Sequence, residues 1–169
     1  ITTHTLGVTT MQDDDLKTIK NAKSAIERIT AINREFLTNA NKYPTCSSIP
    51  SSLQIFGDGL AVDCFEHLAT ARPRRVRMST GSYFMEYVFT VPSGSQMIEV
   101  TRFYLSEDGQ IQDDPTTQGA ICGHDNFRIA TPLCARVLLG FLDSPLMAPA
   151  RAQRCDLDIH ANGPVAVSG

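Results

Sequence analysis

The stretch SYFMEYVFTVPSGSQMIEVTRFYL, Ser82 to Leu105, decides the fold class. Tyr83, Met85, Tyr87, Phe89 and Val91 alternate with Phe84, Glu86, Val88 and Thr90. Successive side chains of a strand point to opposite faces, so this period of two predicts a strand with two differently used surfaces. Its aromatic and β-branched residues suit a partly buried pleated sheet. Pro-Ser-Gly-Ser-Gln then supplies turn chemistry, and Met97 to Leu105 makes a second strand. The two are expected to pair as an antiparallel hairpin. Glu107-Asp108-Gly109 forms a further turn, Ile111 starts a short return strand, and Asp113 to Gly119 reads as loop.

Upstream, the period changes. Leu16, Ile19, Ala22, Ile26, Ile29, Phe36 and Ala40 recur at steps of three or four, with Ile32 or Asn33 filling the one gap. That spacing predicts an amphipathic helix of about seven turns. Lys17, Lys20, Lys23, Glu27, Arg34 and Glu35 occupy its other faces. Asp13, Asp14 and Asp15 supply N-cap chemistry and negative charge for the positive end of the helix dipole. Pro44 pushes the residue before it out of the α region, so Tyr43 marks the helix end. Cys46 to Ser52 is a loop.

The remaining segments are less decided. Leu53 to Ala71 fits a short helix or a strand, with Ala61 to Ala71 able to make three helical turns. Arg72, Arg74, Arg75 and Arg77 form a basic cluster leading into the sheet. Thr131 before Pro132 is an N-cap with proline at the first helical position, and opens a short helix apolar nearly all round, hence buried. Arg154 to His160 is expected to add a terminal strand. Residues 1–12, Thr-rich and aperiodic, read as a loose tail, and 13–169 as a single domain. The order of helix, sheet, short helix and strand defines an α+β fold, with the long helix packed on an antiparallel sheet.

Composition narrows the function classes. A chain of 169 residues can bury a core, and its net charge of −3 gives no general attraction to nucleic acid or to an anionic membrane. No apolar run reaches the length of a membrane span. Five cysteines, Cys46, Cys64, Cys122, Cys134 and Cys155, point to an oxidising, extracytoplasmic compartment with two disulfides and one free thiol. The expected bridges are Cys46 with Cys64 and Cys122 with Cys155, while Cys134 shares a helix face with Val137, Leu138 and Phe141 and suits burial as a thiol. Five reduced, buried cysteines are the other account of the same residues.

Catalytic and ligand-binding patterns are weak. Cys122-Gly-His124-Asp125 brings a thiol, a base and an acid together, but residues adjacent in sequence rarely face one another. His4, His67, His124 and His160 lie in four separate segments without metal-ligand spacing. Asp113, Asp114, Asp156 and Asp158 read as solvated carboxylates rather than a calcium loop. Phe56 to Ala61 has two glycines but no dinucleotide fingerprint, so no cofactor is expected. The cluster Arg72, Arg74, Arg75 and Arg77 is a candidate contact for an anion or acidic partner, against an ordinary solvated surface.

The segment NANKYPT, with Asn41, Lys42, Tyr43, Pro44 and Thr45 closing the helix, resembles the helix ending of type IV pilin-like proteins and type II secretion pseudopilins. The glycine usual in that ending is missing. Thr101 to Ile111, TRFYLSEDGQI, is similar to the family's strand-turn-strand segment. Together these cover about a third of the chain. The resemblance implies a head domain of a pilus-like or secretion filament, no enzyme activity, and contacts with other subunits through the N-terminal helix. It implies a further apolar helical segment before Ile1 as the sole membrane contact. It also implies a cysteine-bridged C-terminal region, for which Cys122 or Cys134 with Cys155 would serve. The alternative is a periplasmic or extracellular ligand-sensing domain of a membrane receptor, with a small Cys/His enzyme behind it.

Overall fold

The structure is a computed structural model that describes residues 12–117 and 119–147. The expected tail, the terminal strand at Arg154–His160 and Cys155 lie outside the described residues, Gln12 excepted. Helix α1 (Asp13–Lys42) is followed by strands β1 (Leu53–Phe56), β2 (Gly59–Cys64), β3 (His67–Ala71) and β4 (Pro73–Arg77). Then come β5 (Tyr83–Ser93), β6 (Gln96–Ser106), β7 (Gln110–Gln112) and β8 (Ala120–Gly123). Helix α2 (Ala130–Leu142) and a 3₁₀ turn at Pro145–Met147 close the described chain. The fold is α+β.

The hairpin forms as its alternation predicts. β5 and β6 pair antiparallel with Ser93 opposite Gln96, and Gly94 takes the left-handed φ of +59° that the tight turn needs. Opposite pairs Met85–Leu105 and Tyr87–Phe103 are buried, and the Tyr87 and Phe103 rings stack at 4.9 Å. Phe36 of α1 packs edge-on against both, with centroids 5.5 Å from Tyr87 and 6.0 Å from Phe103. Each such aromatic pair adds about 0.5–1.5 kcal/mol beyond its area burial. This cluster joins helix to sheet.

The sheet runs β1-β2-β3-β5-β6-β7-β8, wholly antiparallel, with β4 sharing one edge of β5 with β3. Thr70 of β3 lies opposite Thr90, while Pro73 to Arg77 of β4 pair with Tyr87 to Tyr83. The chain breaks at Arg72 to serve both halves of that edge.

Several boundaries differ from expectation. Ala61 to Ala71 is not helical; it forms β2, a turn and β3. Phe65 and Glu66 both take positive φ, +50° and +71°, in that turn. The Phe65 and His67 rings lean on Phe141 of α2 at 6.0 and 5.1 Å, which holds two residue types that rarely adopt this conformation. The basic segment before the hairpin is itself a strand, and β8 follows directly on the Asp113 to Gly119 loop, where no element was expected. Asp13 to Asp15 are first-turn residues; Gln12 is the N-cap and makes no side-chain cap. Thr131 likewise lies inside α2, and its hydroxyl accepts the Ser47 N–H instead of capping the helix.

Tyr43 is the C-cap of α1, its N–H bonded to the Asn39 carbonyl at 3.0 Å. Beyond Pro44 the chain turns directly into the sheet: the Leu53 N–H donates to Pro44 O at 2.9 Å and Thr45 bridges Ser52. Ile29, Phe36 and Ala40 of α1 and Leu133, Val137 and Phe141 of α2 belong to one core with β2, β5 and β6. α2 buries a single face, leaving Leu139 and Leu142 exposed; the expectation of burial all round does not hold.

Candidate functional site

Helix α1 is used unevenly along its length. Its 30 residues span about 45 Å at about 1.5 Å each. The buried positions, Ala25, Ile29, Asn33, Phe36 and Ala40, all lie in the second part, at steps of four or three. Every residue from Asp13 to Asn21 is exposed, including Leu16 at 37% and Ile19 at 57%. Ile19, the half-buried Ile26 and the half-buried Leu37 are spaced by whole turns, forming an apolar ridge beside the buried stripe. The sequence pattern found the helix, but placed Leu16 and Ile19 on a face that the described chain leaves bare.

The four arginines do not form one cluster. Strand alternation divides them between the two faces of the sheet. Arg75 and Arg77 turn to the α1 side: Arg75 Nη2 donates to the Thr30 hydroxyl at 3.3 Å, and Arg77 lies over the Tyr83 ring at 5.8 Å. With Thr18, Asn21, Ala22 and Arg28, Arg77 lines an open cleft of about 350 Å³ along the exposed half of α1. Arg28 is bonded across it to Glu107 at 3.1 Å.

Arg72 and Arg74 line a cleft of about 560 Å³, with Thr70, Glu86, Thr90, Glu99 and Arg102. The Glu86 side chain is only 4% exposed there and lies between Arg74, whose Nε donates to it at 2.9 Å, and Arg102 at 3.3 Å. Arg102 also grips Glu99 through two bonds of 2.6 Å, which, with a smaller effect of Tyr104, hold its pKa above the ordinary arginine value. Arg72 is exposed, with Asp58 3.8 Å away. The cationic side chains of this cleft are therefore largely answered by its own carboxylates.

Cys122 and His124 do not form a nucleophile–base pair. The two imidazole nitrogens of His124 face Gly109 O at 3.2 Å and Glu35 Oε2 at 3.1 Å. Asn39 of α1 donates to both the His124 and Asn126 carbonyls, at 2.9 and 2.8 Å. The loop that looked most chemical is thus a tie between β8 and α1. Burial pushes the Cys122 thiol up to about 11, against a smaller opposing effect of Arg136. A thiol held so high stays protonated at neutral pH and is a poor nucleophile.

Cys46, Cys64, Cys122 and Cys134 carry no bridge in the structure. Cys64 is fully buried and donates to Val62 O of its own strand at 3.7 Å. Burial, with Asp63 adding, raises it to about 11. Cys46 instead lies against α2. Cys134 is buried, as its helix face predicts, and burial raises its pKa strongly.

Among the described residues no group of three or more His, Cys, Asp or Glu is placed to hold a metal, and no helix is long and apolar enough to cross a membrane. Comparison of the chain with protein-family models, curated proteins and solved structures finds no match in any of the three.

Proposed function

We propose that the chain is the head domain of a structural subunit that assembles into a pilus-like or secretion filament, outside the cytoplasm, and is not an enzyme. The observation that carries this reading is the bare half of α1. A helix that buries five positions from Ala25 onward but none from Asp13 to Asn21 has more length than its own core uses. Short isolated helices are marginal in water, so an extension of this kind gains from packing on a neighbour. Leu16, Ile19 and the ridge through Ile26 supply the apolar contacts, and the Tyr43-Pro44-Thr45 ending adds the family resemblance. Membrane contact, in this reading, belongs to a segment preceding Ile1.

The test is the double variant Leu16→Ser/Ile19→Ser in the full chain, assayed by co-sedimentation with filaments and by melting temperature. Lost assembly with unchanged melting is expected. Normal assembly of the folded variant would sink the proposal.

A second reading, a ligand-sensing domain, has the cleft around Glu86 and Arg102 on its side. Binding of a small anion there, lost in Arg74→Ala and Arg102→Ala, would favour it over assembly.

A further inference from the structure

We propose that Cys46 and Cys134 are a disulfide-forming pair that staples the segment after α1 to the first turns of α2. The Cys46 sulfur lies 3.4 Å from the carbonyl oxygen of Ala130. In an α-helix that carbonyl accepts the N–H of the residue four positions on, here Cys134. Helical side chains lean toward the N-terminus, which carries the Cys134 thiol back toward the same carbonyl. Each thiol also acts on the other's pKa, as near neighbours do.

The backbone on both sides is already held. The Ser47 N–H donates to Thr131 Oγ1 at 2.9 Å, beside the Cys46 contact. The Thr45–Ser52 bridge and the Leu53 N–H to Pro44 O bond close the base of the loop. Bond formation has only to bring two neighbouring sulfurs to about 2.05 Å. Cys64 shares the core with Cys134, but its thiol is turned to Val62 O, and pairing with His67 fixes its strand register. It is the competitor, not the partner.

The accessible member is Cys46, half-buried, and the buried Cys134 resolves. With a low-molecular-weight disulfide as oxidant, the Cys46 thiolate attacks one sulfur of the oxidant, whose S–S bond breaks and releases one thiolate. The Cys134 thiolate then attacks the Cys46 sulfur and expels the second. Two protein thiols are oxidised to one disulfide, the oxidant is reduced to two thiols, and those two take up the cysteine protons. Burial raises both cysteine pKa values, so exchange is slow at neutral pH and quickens as pH rises.

The test treats the whole protein with oxidised glutathione, alkylates it in denaturant without reductant, and maps the peptides by mass spectrometry. A linked peptide pair containing Cys46 and Cys134 is expected, with Cys64 alkylated. Recovery of Cys46 alkylated, or joined to Cys64 or Cys122, overturns the proposal. As a second measurement, reductant should lower the melting temperature of the oxidised Cys122→Ser/Cys155→Ser protein by roughly 10 °C. The same protein carrying Cys46→Ser should show no such drop. A drop that survives Cys46→Ser also overturns it.

Discussion

The phenol of Tyr87 donates to Oδ1 of Asn33 at 2.5 Å, deep between β5 and α1. Tyr87 is fully buried and Asn33 is 9% exposed, so each polar group depends on the other. Burial pushes the phenol's pKa up, with the Asn33 bond acting against that shift. Removing one partner strands a buried donor or acceptor at a cost of about 1–3 kcal/mol. Asn33→Leu should therefore destabilise by about that amount in urea unfolding. Asn33→Leu combined with Tyr87→Phe should cost clearly less than the two single changes summed.

Gly140 sits in α2 where a Cβ would stand 2.0 Å from the carbonyl oxygen of Val100 and 2.9 Å from its carbon. Helix propensity alone favours alanine over glycine by about 1 kcal/mol. The clash involves backbone of β6, which cannot swing aside as a side chain would. Overpacking of this kind costs about 1–3 kcal/mol, so the net sign is unfavourable. Gly140→Ala should lower the melting temperature, and a rise would show that α2 is free to shift.

The carboxylate of Glu86 is buried between two exposed arginines, which makes the two ends of the contact unequal. Arg74→Ala alone leaves Arg102 in place and should cost under about 1 kcal/mol, as exposed ion pairs do. The double change Arg74→Ala/Arg102→Ala leaves a buried charge without a partner, for which about 3–5 kcal/mol is typical. Chemical denaturation of Arg74→Ala, Arg102→Ala and the double variant would read this difference, and a merely additive double variant would contradict it.

Alkaline pH should unfold the protein earlier than a surface charge count suggests. Cys64 and Cys122 are both raised to about 11 by burial, from an ordinary value of 9.0. The folded state holds these protons more tightly than the unfolded state. Their contribution is fully present below pH 9 and is lost as pH climbs toward 11. For the fully buried Cys64 it amounts to roughly 2–3 kcal/mol. Stability against urea should fall across that window, and less steeply in Cys64→Ala, once that variant's own cavity cost is subtracted.

The elements with one dominant period were legible from residues alone. β5 alternates strictly, β6 follows a glycine turn, and α1 repeats at three and four before Pro44. The strands β2 and β3 were not, for two physical reasons. Gly59 to Val62 are all buried, so no polar face interrupts the run and no alternation appears. Their turn uses Phe65 and Glu66 where a signal would be Asn-Gly, because packing on Phe141 holds a conformation that local preference opposes. Asn33 was ambiguous in the helix stripe because its acceptor role depends on Tyr87, 54 residues away. The division of Arg74 from Arg75 followed from a period of two once that segment was known to be a strand. The meeting of Cys46 with Cys134 follows only from the docking of α2.

The proposed division of α1 into a core half and an assembly half has a direct thermodynamic signature. Ile29 is fully buried and Ile19 is 57% exposed, on the same helix and with the same side chain. Ile29→Ala removes buried methyl groups and leaves a cavity, at about 2–5 kcal/mol. Ile19→Ala touches only solvent-facing surface and should stay within about 0.5 kcal/mol of the parent. Alanine's better helix propensity slightly favours the second change. Measured in the isolated chain, the two values should differ by at least about 2 kcal/mol. Measured by assembly, the order should reverse in meaning: Ile29→Ala acts through folding, whereas Ile19→Ala weakens assembly of a fully folded protein. If Ile19→Ala destabilises the isolated chain as much as Ile29→Ala, then the first half of α1 belongs to the core and not to a partner.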